Sequence, residues 1–568
     1  MTLAPRRNLT AFALYALLLC IFYSPVIFAG KSLNPALYQP HGVVDGGVYN
    51  ELERRPVNSF NIDIATQAYY EFPINKLVGD LYRRGELPLW NPYQAAGTPL
   101  AAQFSTRAFF PYQVIEDMSP VRAWDFFMLG RLLVAGFFTF LFLSLAGLGF
   151  PAAFAGGAFY MLSGTFVWFV NLEQLVNVAM MTPVVMYATE RLRRSAPRLR
   201  DALGEVSLMG VSVGLLLLAG QPEVALYVSL LAALYYFLGG VGGLRRGGGF
   251  AAQGLKFLSS YALGLMLAMP LLLPFLELVR AGYHIHPVGG DMGTQVLDRW
   301  RTVFAYLTPS VTEFPTNPDM LSGVGLLVKV GGDWFRFLPI NGVWDTLGGY
   351  TGVLLVFVVL TAMLLATAQR DFPLRRPLYF FSFFGFAIIL KNVGLPPFVW
   401  IGRIPVFDQV WTLRWAAPAW TFAFAAAGAI ALELLCRQGG REAEGGAEPA
   451  GRPRWPGGYF ARSPQLAPTI TFAVVLVAYF GLSFMPVVNL TLNRWLYFND
   501  EMVAFVVPSM FVPSVLTIIV LTFAFFMTRA AAGGRPRVLP ALLALGVLEL
   551  WWAVPRGYDP VWLMYKLV

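Results

Sequence analysis

Three side chains between the first two apolar runs are spaced for chemistry. Asp63, Gln67 and Glu71 recur every four residues, which puts all three on one face of a helix. Ile64, Ala68 and Phe72 form the adjacent apolar stripe, so such a helix would lie along a membrane interface with its polar face turned outward. A carboxylate on that face can take the proton from an attacking hydroxyl. It can equally hold a divalent ion such as Mg or Mn through oxygen ligands, although nothing in the sequence requires one. A solvated acidic face with no chemistry is the third reading of the same spacing. Downstream, Trp90-Asn91-Pro-Tyr and Gly97-Thr-Pro are turn-forming and aromatic. Their rings suit stacking on sugars, or the aromatic belt at a bilayer surface. Arg107 closes the stretch.

A second set of polar residues lies inside or at the ends of apolar runs, where ionisable groups are expensive and mark function by default. Arg131 sits within one run. Glu173 stands at a turn with Gln174 and Asn177, and Glu223 at another beside Gln221 and Pro222. Glu277 and Arg280 end one helix, and Lys391 and Asn392 another. Arg403 and Arg414 follow closely, and Glu549 lies in the last run. In the topology derived below nearly all fall near the outer leaflet, which points to a polar pocket open to the outer face. The competing reading of each is a side chain snorkelling to water.

These residues need a scaffold, and composition says which. The chain has 568 residues, 57% hydrophobic and 13% charged, with a mean hydropathy of +0.59. Soluble domains carry about 25% charged residues. The balance excludes a soluble enzyme, a disordered chain and a nucleic-acid-binding protein. About thirteen apolar runs reach membrane-spanning length, near 10–29, 124–147, 151–170, 174–190, 203–220, 223–240, 255–277, 347–369, 377–394, 414–436, 467–488, 506–528 and 539–555. The pair 151–170 and 174–190 is short enough to be re-entrant. The first run, behind Arg6 and Arg7, reads as a retained anchor.

Arginine marks one side. With the N-terminus inside, the inner segments are Arg6–Arg7, Arg191-Leu-Arg-Arg-Ser-Ala-Pro-Arg-Leu-Arg200, Arg245–Arg246, the stretch from Arg370 to Arg376, the linker 437–464 and the stretch from Arg529 to Arg537. Every one is basic, so the net charge of +9 is a topology signal. The expectation is an all-α polytopic protein of the bacterial inner (cytoplasmic) membrane, N-terminus cytoplasmic and C-terminus extracytoplasmic. Its organisation reads as a first transmembrane helix (1–29), a first extracytoplasmic loop (30–123), a helical bundle (124–277), a second large outer loop (278–346), further spans (347–436), a flexible cytoplasmic linker (437–464) and C-terminal spans (465–568). The first loop carries interfacial helices. Cys20 and Cys436 read as inert thiols, and His284-Ile-His286 with Asp291 as surface residues rather than a zinc site.

Gly85-Glu-Leu-Pro-Leu-Trp-Asn-Pro-Tyr, Gly97-Thr-Pro-Leu-Ala-Ala and Phe109-Phe-Pro-Tyr resemble the YfhO family of bacterial membrane proteins. Asp63 with Gln67 and Phe72-Pro73, Leu162-Ser-Gly-Thr-Phe, Ala219-Gly-Gln-Pro-Glu223 and the segment from Leu395 to Trp415 are similar to it as well. That resemblance implies a GT-C type glycosyltransferase, a polytopic enzyme taking sugar from a polyprenyl-phosphate donor at the outer face. It implies an acidic base or metal ligand in the first outer loop, and the position that matches is Asp63, with Asp45 as its rival. Arg107 departs from the uncharged polar residue expected there. The chain ends soon after Arg556-Gly-Tyr-Asp-Pro560, where relatives commonly continue into an outer soluble segment, so a short form or a fragment is expected.

The expected reaction is sugar transfer to an acceptor on the extracytoplasmic face, a cell-envelope glycan, lipid or protein. Asp63 would be the base. Gln67, Glu71, Trp90, Asn91, Arg107, Glu173 and Glu223 would line the substrate site. Arg280, Arg299, Arg301, Lys391, Arg403 and Arg414 are the cations available to the phosphate, with Arg414 and Lys391 closest to the hydrophobic zone. A transporter or flippase of lipid-linked saccharides would use the same groove without a base, and a non-catalytic assembly protein is the third class. The one-sided polar residues, the long outer loops and the lack of an inverted repeat count against a transporter.

Overall fold

The computed structural model describes residues 5–34, 49–50, 55–56, 67–170, 172–240, 249–282, 292–296, 306–307, 326–330, 333–337, 348–443, 457–481, 512–535 and 538–551. The described residues form an all-α polytopic membrane protein, and the described parts of the apolar runs are mostly helical. Seven helices among the described residues are long and apolar enough to cross a membrane, and three shorter apolar helices, Val353–Ala368, Leu466–Tyr479 and Leu539–Leu550, accompany them. The run 151–170 is broken: Phe150–Met161 stops at Leu162–Ser163 and a short helix resumes at Gly164. Three two-stranded antiparallel pairs, which the periodicity did not announce, decorate the loops. They are Tyr49–Asn50 with Arg55–Pro56, Trp90–Asn91 with Thr98–Pro99, and Leu326–Val330 with Asp333–Phe337.

The central element is Ala417–Ala443, whose fully buried residues include Trp420, Phe424 and a row of alanines. Small residues let helices approach where lipid gives no hydrophobic drive to pack. The Val353–Ala368, Arg375–Asn392 and Phe150–Met161 helices surround it. In the other half, Trp124–Ala146 lies between Phe150–Met161 and Glu173–Arg194, and Pro5–Phe22 packs on its outside. Pro183 interrupts Glu173–Arg194. A proline has no N–H, so the carbonyl four residues earlier loses its donor. That carbonyl, on Ala179, instead accepts the buried Tyr160 hydroxyl at 2.8 Å, as hydrocarbon surroundings demand.

The two ends of the bundle differ in chemistry. At the arginine-rich end, Arg7 donates to Leu148 O at 3.3 Å. Glu433 accepts from Gly149 N–H and from Arg437. Lys256 donates to Ser195 Oγ and Ala196 O, both at 3.0 Å. The buried Glu190 carboxylate accepts from Arg193, Arg194 and the Tyr235 hydroxyl. These contacts close the basic loops onto helix ends, so those cations are occupied structurally. The opposite end holds the first outer loop and Glu549. Glu549 belongs to the last described helix and accepts from Val353 N–H at 2.7 Å and Leu354 N–H at 3.2 Å. It therefore caps the first turn of a helix almost two hundred residues earlier, where orphan N–H groups gather.

Replacing Glu549 by Ala leaves those two N–H groups unsatisfied in a buried setting, at a cost of about 1–3 kcal/mol. Thermal unfolding in detergent, followed by tryptophan fluorescence, is expected to show a lowered Tm for Glu549→Ala and a smaller loss for Glu549→Gln, which keeps an acceptor.

Candidate functional site

Glu173 opens the Glu173–Arg194 helix and is fully buried. A lone carboxylate there would be prohibitively costly, and five donors converge on it. Oε1 accepts Gln67 Nε2 at 3.0 Å and Trp124 Nε1 at 2.6 Å. Oε2 accepts Asn75 Nδ2 at 2.6 Å, Gln113 Nε2 at 2.8 Å and an Arg107 guanidinium nitrogen at 3.0 Å. Gln67 stands on a single wide turn, Gln67–Glu71, that leads into the helix Phe72–Arg83 carrying Asn75. Gln113 is on the short helix Pro111–Asp117, and Trp124 begins Trp124–Ala146. One carboxylate thus ties four segments of the chain between Gln67 and Trp124 to the start of the Glu173–Arg194 helix.

Arg107 is the counter-charge. It is buried, with φ at +52°, a left-handed conformation that costs a non-glycine residue about 1–3 kcal/mol and persists only where surroundings enforce it. Its guanidinium donates to Ser105 O and to Asn75 Oδ1, each at 2.6 Å, and lies 3.5 Å from Glu71. Burial works against its charge, and Glu71 and Glu173 more than offset this, holding its pKa above the ordinary arginine value. Two glycines allow the approach. A Cβ on Gly220, itself at φ +133°, would meet Arg107 Cγ at 2.9 Å, and one on Gly79 would meet Asp117 O at 2.1 Å.

A second ring leans on the first. Arg131 donates to Asn177 Oδ1 at 2.6 Å and to Gln113 Oε1 at 2.9 Å, pairs with Glu116, and lies over the Tyr112 ring at 5.0 Å. Asp117 accepts from Gln113 at 2.8 Å. Among the described residues the guanidinium groups placed against Glu71, Glu116 and Glu173 are those of Arg107 and Arg131, and Asp117 sits within the same cluster. Burial, aided by the charges of Glu173 and Glu116, raises the Asp117 pKa well above the usual carboxylate range. Burial also pushes Glu116 up to about 7, against the pull of Arg131. Part of the carboxylate charge is thus removed by protons.

The structure brings together Gln67, Glu71, Arg107 and Glu173 among the expected site residues. It also corrects their expected setting. The Gln67–Glu71 face is not solvated and does not line an open mouth, because Glu173 and Arg107 consume its polar groups in a sealed network. Asn75 continues the four-residue series 63, 67, 71 and could have been read from it. Gln113, Glu116, Asp117 and Trp124 carry no comparable signal in their spacing. Asp63, Asp45, Arg299, Arg301, His41, His284, His286 and Asp291 lie outside the described residues.

The other expected residues are dispersed at this end. Trp90 is exposed and lies against Gly97, while Asn91 accepts its own turn's Tyr93 N–H at 3.0 Å. Glu223 is half-buried and accepts from Gln221 at 2.6 Å. The Gly220 turn that precedes it abuts Arg107. Arg280 and Arg403 are exposed, and Arg414 is half-buried beside the Trp415 ring at 4.8 Å. Lys391 is buried and donates to Gln295 O at 3.1 Å. Asn392, next to it, donates to the Tyr306 hydroxyl at 2.7 Å. Among the described residues no group of three or more His, Cys, Asp or Glu is placed to hold a metal ion. The network is built to fix a loop.

No protein-family profile and no curated protein sequence matches the chain. Among solved structures, ArnT from Cupriavidus metallidurans in the apo state is similar with a TM-score of 0.39 at 13% identity, covering 85% of this chain and 70% of ArnT. The archaeal oligosaccharyltransferase AglB from Archaeoglobus fulgidus, in complex with an inhibitory peptide and a dolichol-phosphate, gives 0.39 at 13% identity over 84% of this chain. The chain spans 55% of AglB. ArnT bound to undecaprenyl phosphate gives 0.36 at 13% identity, covering 85% of this chain and 71% of ArnT.

Two outcomes follow from the network. Glu173→Ala removes the nearer of the two carboxylates paired with a buried guanidinium and leaves four neutral donors without their acceptor, and is expected to cost about 3–5 kcal/mol, read as a large fall in Tm, with Glu173→Gln milder. Acidification should stabilise the protein. Glu116 and Asp117 bind protons more tightly folded than unfolded, so their contribution is complete below their ordinary pKa values and is lost as pH rises through the raised ones, near 7 for Glu116. Tm should therefore climb between pH 8 and pH 5.5, and Glu116→Gln should flatten that climb.

Proposed function

We propose that the chain is a membrane glycosyltransferase that moves a sugar from a polyprenyl-phosphate carrier to an acceptor hydroxyl on the extracytoplasmic face. One observation carries the reading. Gln67, four residues after Asp63, is fixed by Glu173 at the end of the bundle opposite the arginine-rich loops. A loop locked this firmly can hold a base in register, and positioning of that kind contributes heavily to group transfer. The resemblance of the Gly85–Tyr93 and Gly97–Ala102 elements to the YfhO family agrees with it.

In this reading Asp63 takes the acceptor's hydroxyl proton as the oxygen attacks the anomeric carbon. The bond between that carbon and the phosphate oxygen breaks, and its electron pair leaves with the lipid phosphate. Lys391 and Arg414 stabilise the charge that develops there, and the prenyl chain lies among the apolar helices. Gln67, Glu71, Asn75, Arg107 and Glu173 act as positioning residues. Glu223, which follows the Gly220 turn beside Arg107, and Trp90 contact the sugar. Asp45 is the alternative base.

The test is transfer of labelled sugar from a panel of polyprenyl-phosphate sugars to membrane extract, comparing wild type with Asp63→Asn. Transfer should fall by about 100-fold or more while donor binding persists, and Lys391→Met should weaken donor binding by about tenfold. Full activity in a correctly inserted Asp63→Asn protein removes Asp63 from the mechanism. Donor binding without turnover in the wild type favours a flippase or an assembly protein.

A further inference from the structure

The segment between Arg375–Asn392 and the helical stretch from Thr412 presents an apolar face outward at the end of the bundle that carries the first outer loop. Its exit from the helix is fixed. Gly394, at φ +80°, donates to Lys391 O, and Leu395 N–H reaches back to Leu390 O at 3.0 Å. That pair of bonds is the glycine-terminated helix end known as a Schellman motif. The chain then turns through a short tight helix, Phe398–Arg403, and enters Thr412–Trp415. Two helices of the bundle flank this strap of fewer than twenty residues, and the stretch that follows it, Thr412–Gln438, is long and apolar enough to cross a membrane.

The strap has two faces. Inward, Gly402 is buried and a Cβ on it would lie 1.9 Å from Gly293 O, while Phe407 meets the Tyr227 ring at 5.5 Å. Outward stand Leu395, Trp400, Ile404 and Val406, all large, apolar and exposed, with Trp400 54% accessible. A loop facing water would carry polar groups there, and contiguous exposed apolar patches mark an interaction surface. What covers this one follows from continuity. Phe383, on the helix Arg375–Asn392 that carries the apolar run 377–394, is 64% exposed, and its ring lies 6.1 Å from that of Phe398 in the strap. The exposed apolar side of that helix thus runs directly into the strap.

We infer that the strap 395–406 is an interfacial anchor whose outward face, led by Trp400, is seated in the lipid headgroup layer at this end of the protein. Trp and neighbouring apolar side chains favour that depth, and Arg403 on the same strap can keep its charge at the aqueous edge. The inference stands whether or not the chain transfers a sugar. It also places a membrane-held wall beside Lys391, because Gln295, which accepts from Lys391, lies in the segment that the strap packs against through Gly293.

The test uses the full chain in lipid nanodiscs, with Cys20 and Cys436 replaced by Ser and a nitroxide on a single cysteine. The positions are Trp400→Cys, Ile404→Cys as a second strap site, Phe383→Cys as a lipid reference and Arg200→Cys as an aqueous one. Collision with oxygen, which concentrates in lipid, is compared with collision with a water-soluble nickel chelate. The oxygen-to-nickel ratio at 400 and 404 should be several-fold above that at 200 and below that at 383. A ratio equal to that at 200 overturns the anchor, since the strap then faces water. Protection from both reagents overturns it too, since a protein surface then covers the face.

Discussion

The packing of the loop between Gln67 and Trp124 depends on one desolvated carboxylate. Glu173 cannot sit charged in a sealed apolar setting unless its lone pairs are filled, and the sequence fills them from Gln67, Asn75, Arg107, Gln113 and Trp124. The donors come from separate segments, so the electrostatic need of one side chain dictates the path of more than fifty residues of loop. Arg107 shows how strong the demand is: its backbone adopts a conformation few arginines hold, because the guanidinium gains three partners by doing so.

The same logic recurs at smaller scale. Glu549 fills the open first turn of another helix, Glu190 gathers Arg193 and Arg194 from the last turn of its own helix, and Tyr160 repairs the carbonyl freed by Pro183. The fold resolves the polar demands of a low-dielectric interior by long-range pairs between helix ends, and its hydrophobic middle is left to alanine, glycine and aromatic packing.

Much of this was legible in the residues. Apolar runs of about 20 located the helices, because the bilayer sets that length, and arginine clusters marked one end. The four-residue spacing of Asp63, Gln67 and Glu71 set Gln67 and Glu71 in one series and, extended once, reached Asn75, and Gln67, Glu71 and Asn75 meet at the Glu173–Arg107 pair. The direction of that series was not legible. The spacing of a polar stripe is the same whether it meets water or a buried carboxylate, and Glu173 lies a hundred residues further along. Gln113 and Trp124 were invisible for the same reason: a single neutral donor has no pattern, and only the partner gives it meaning. The Leu326–Phe337 hairpin lacked a signal strong enough to stand out within a long polar loop.

The order of the chain gives Glu173 a consequence in time. If the protein is threaded through the membrane from its N-terminus, the loop bearing Gln67, Asn75, Arg107 and Gln113 emerges before the helix that holds their acceptor has been made. Until that helix is inserted, Arg107 has the partners its own loop supplies, Ser105, Asn75 and Glu71, but lacks the carboxylate that joins the loop to the bundle. Docking of the loop is therefore a late event in biogenesis, set by contacts of high sequence separation, which are slow to close. A chain arrested before residue 173 would expose its basic and amide side chains to whatever chaperones or proteases wait on the far side of the bilayer.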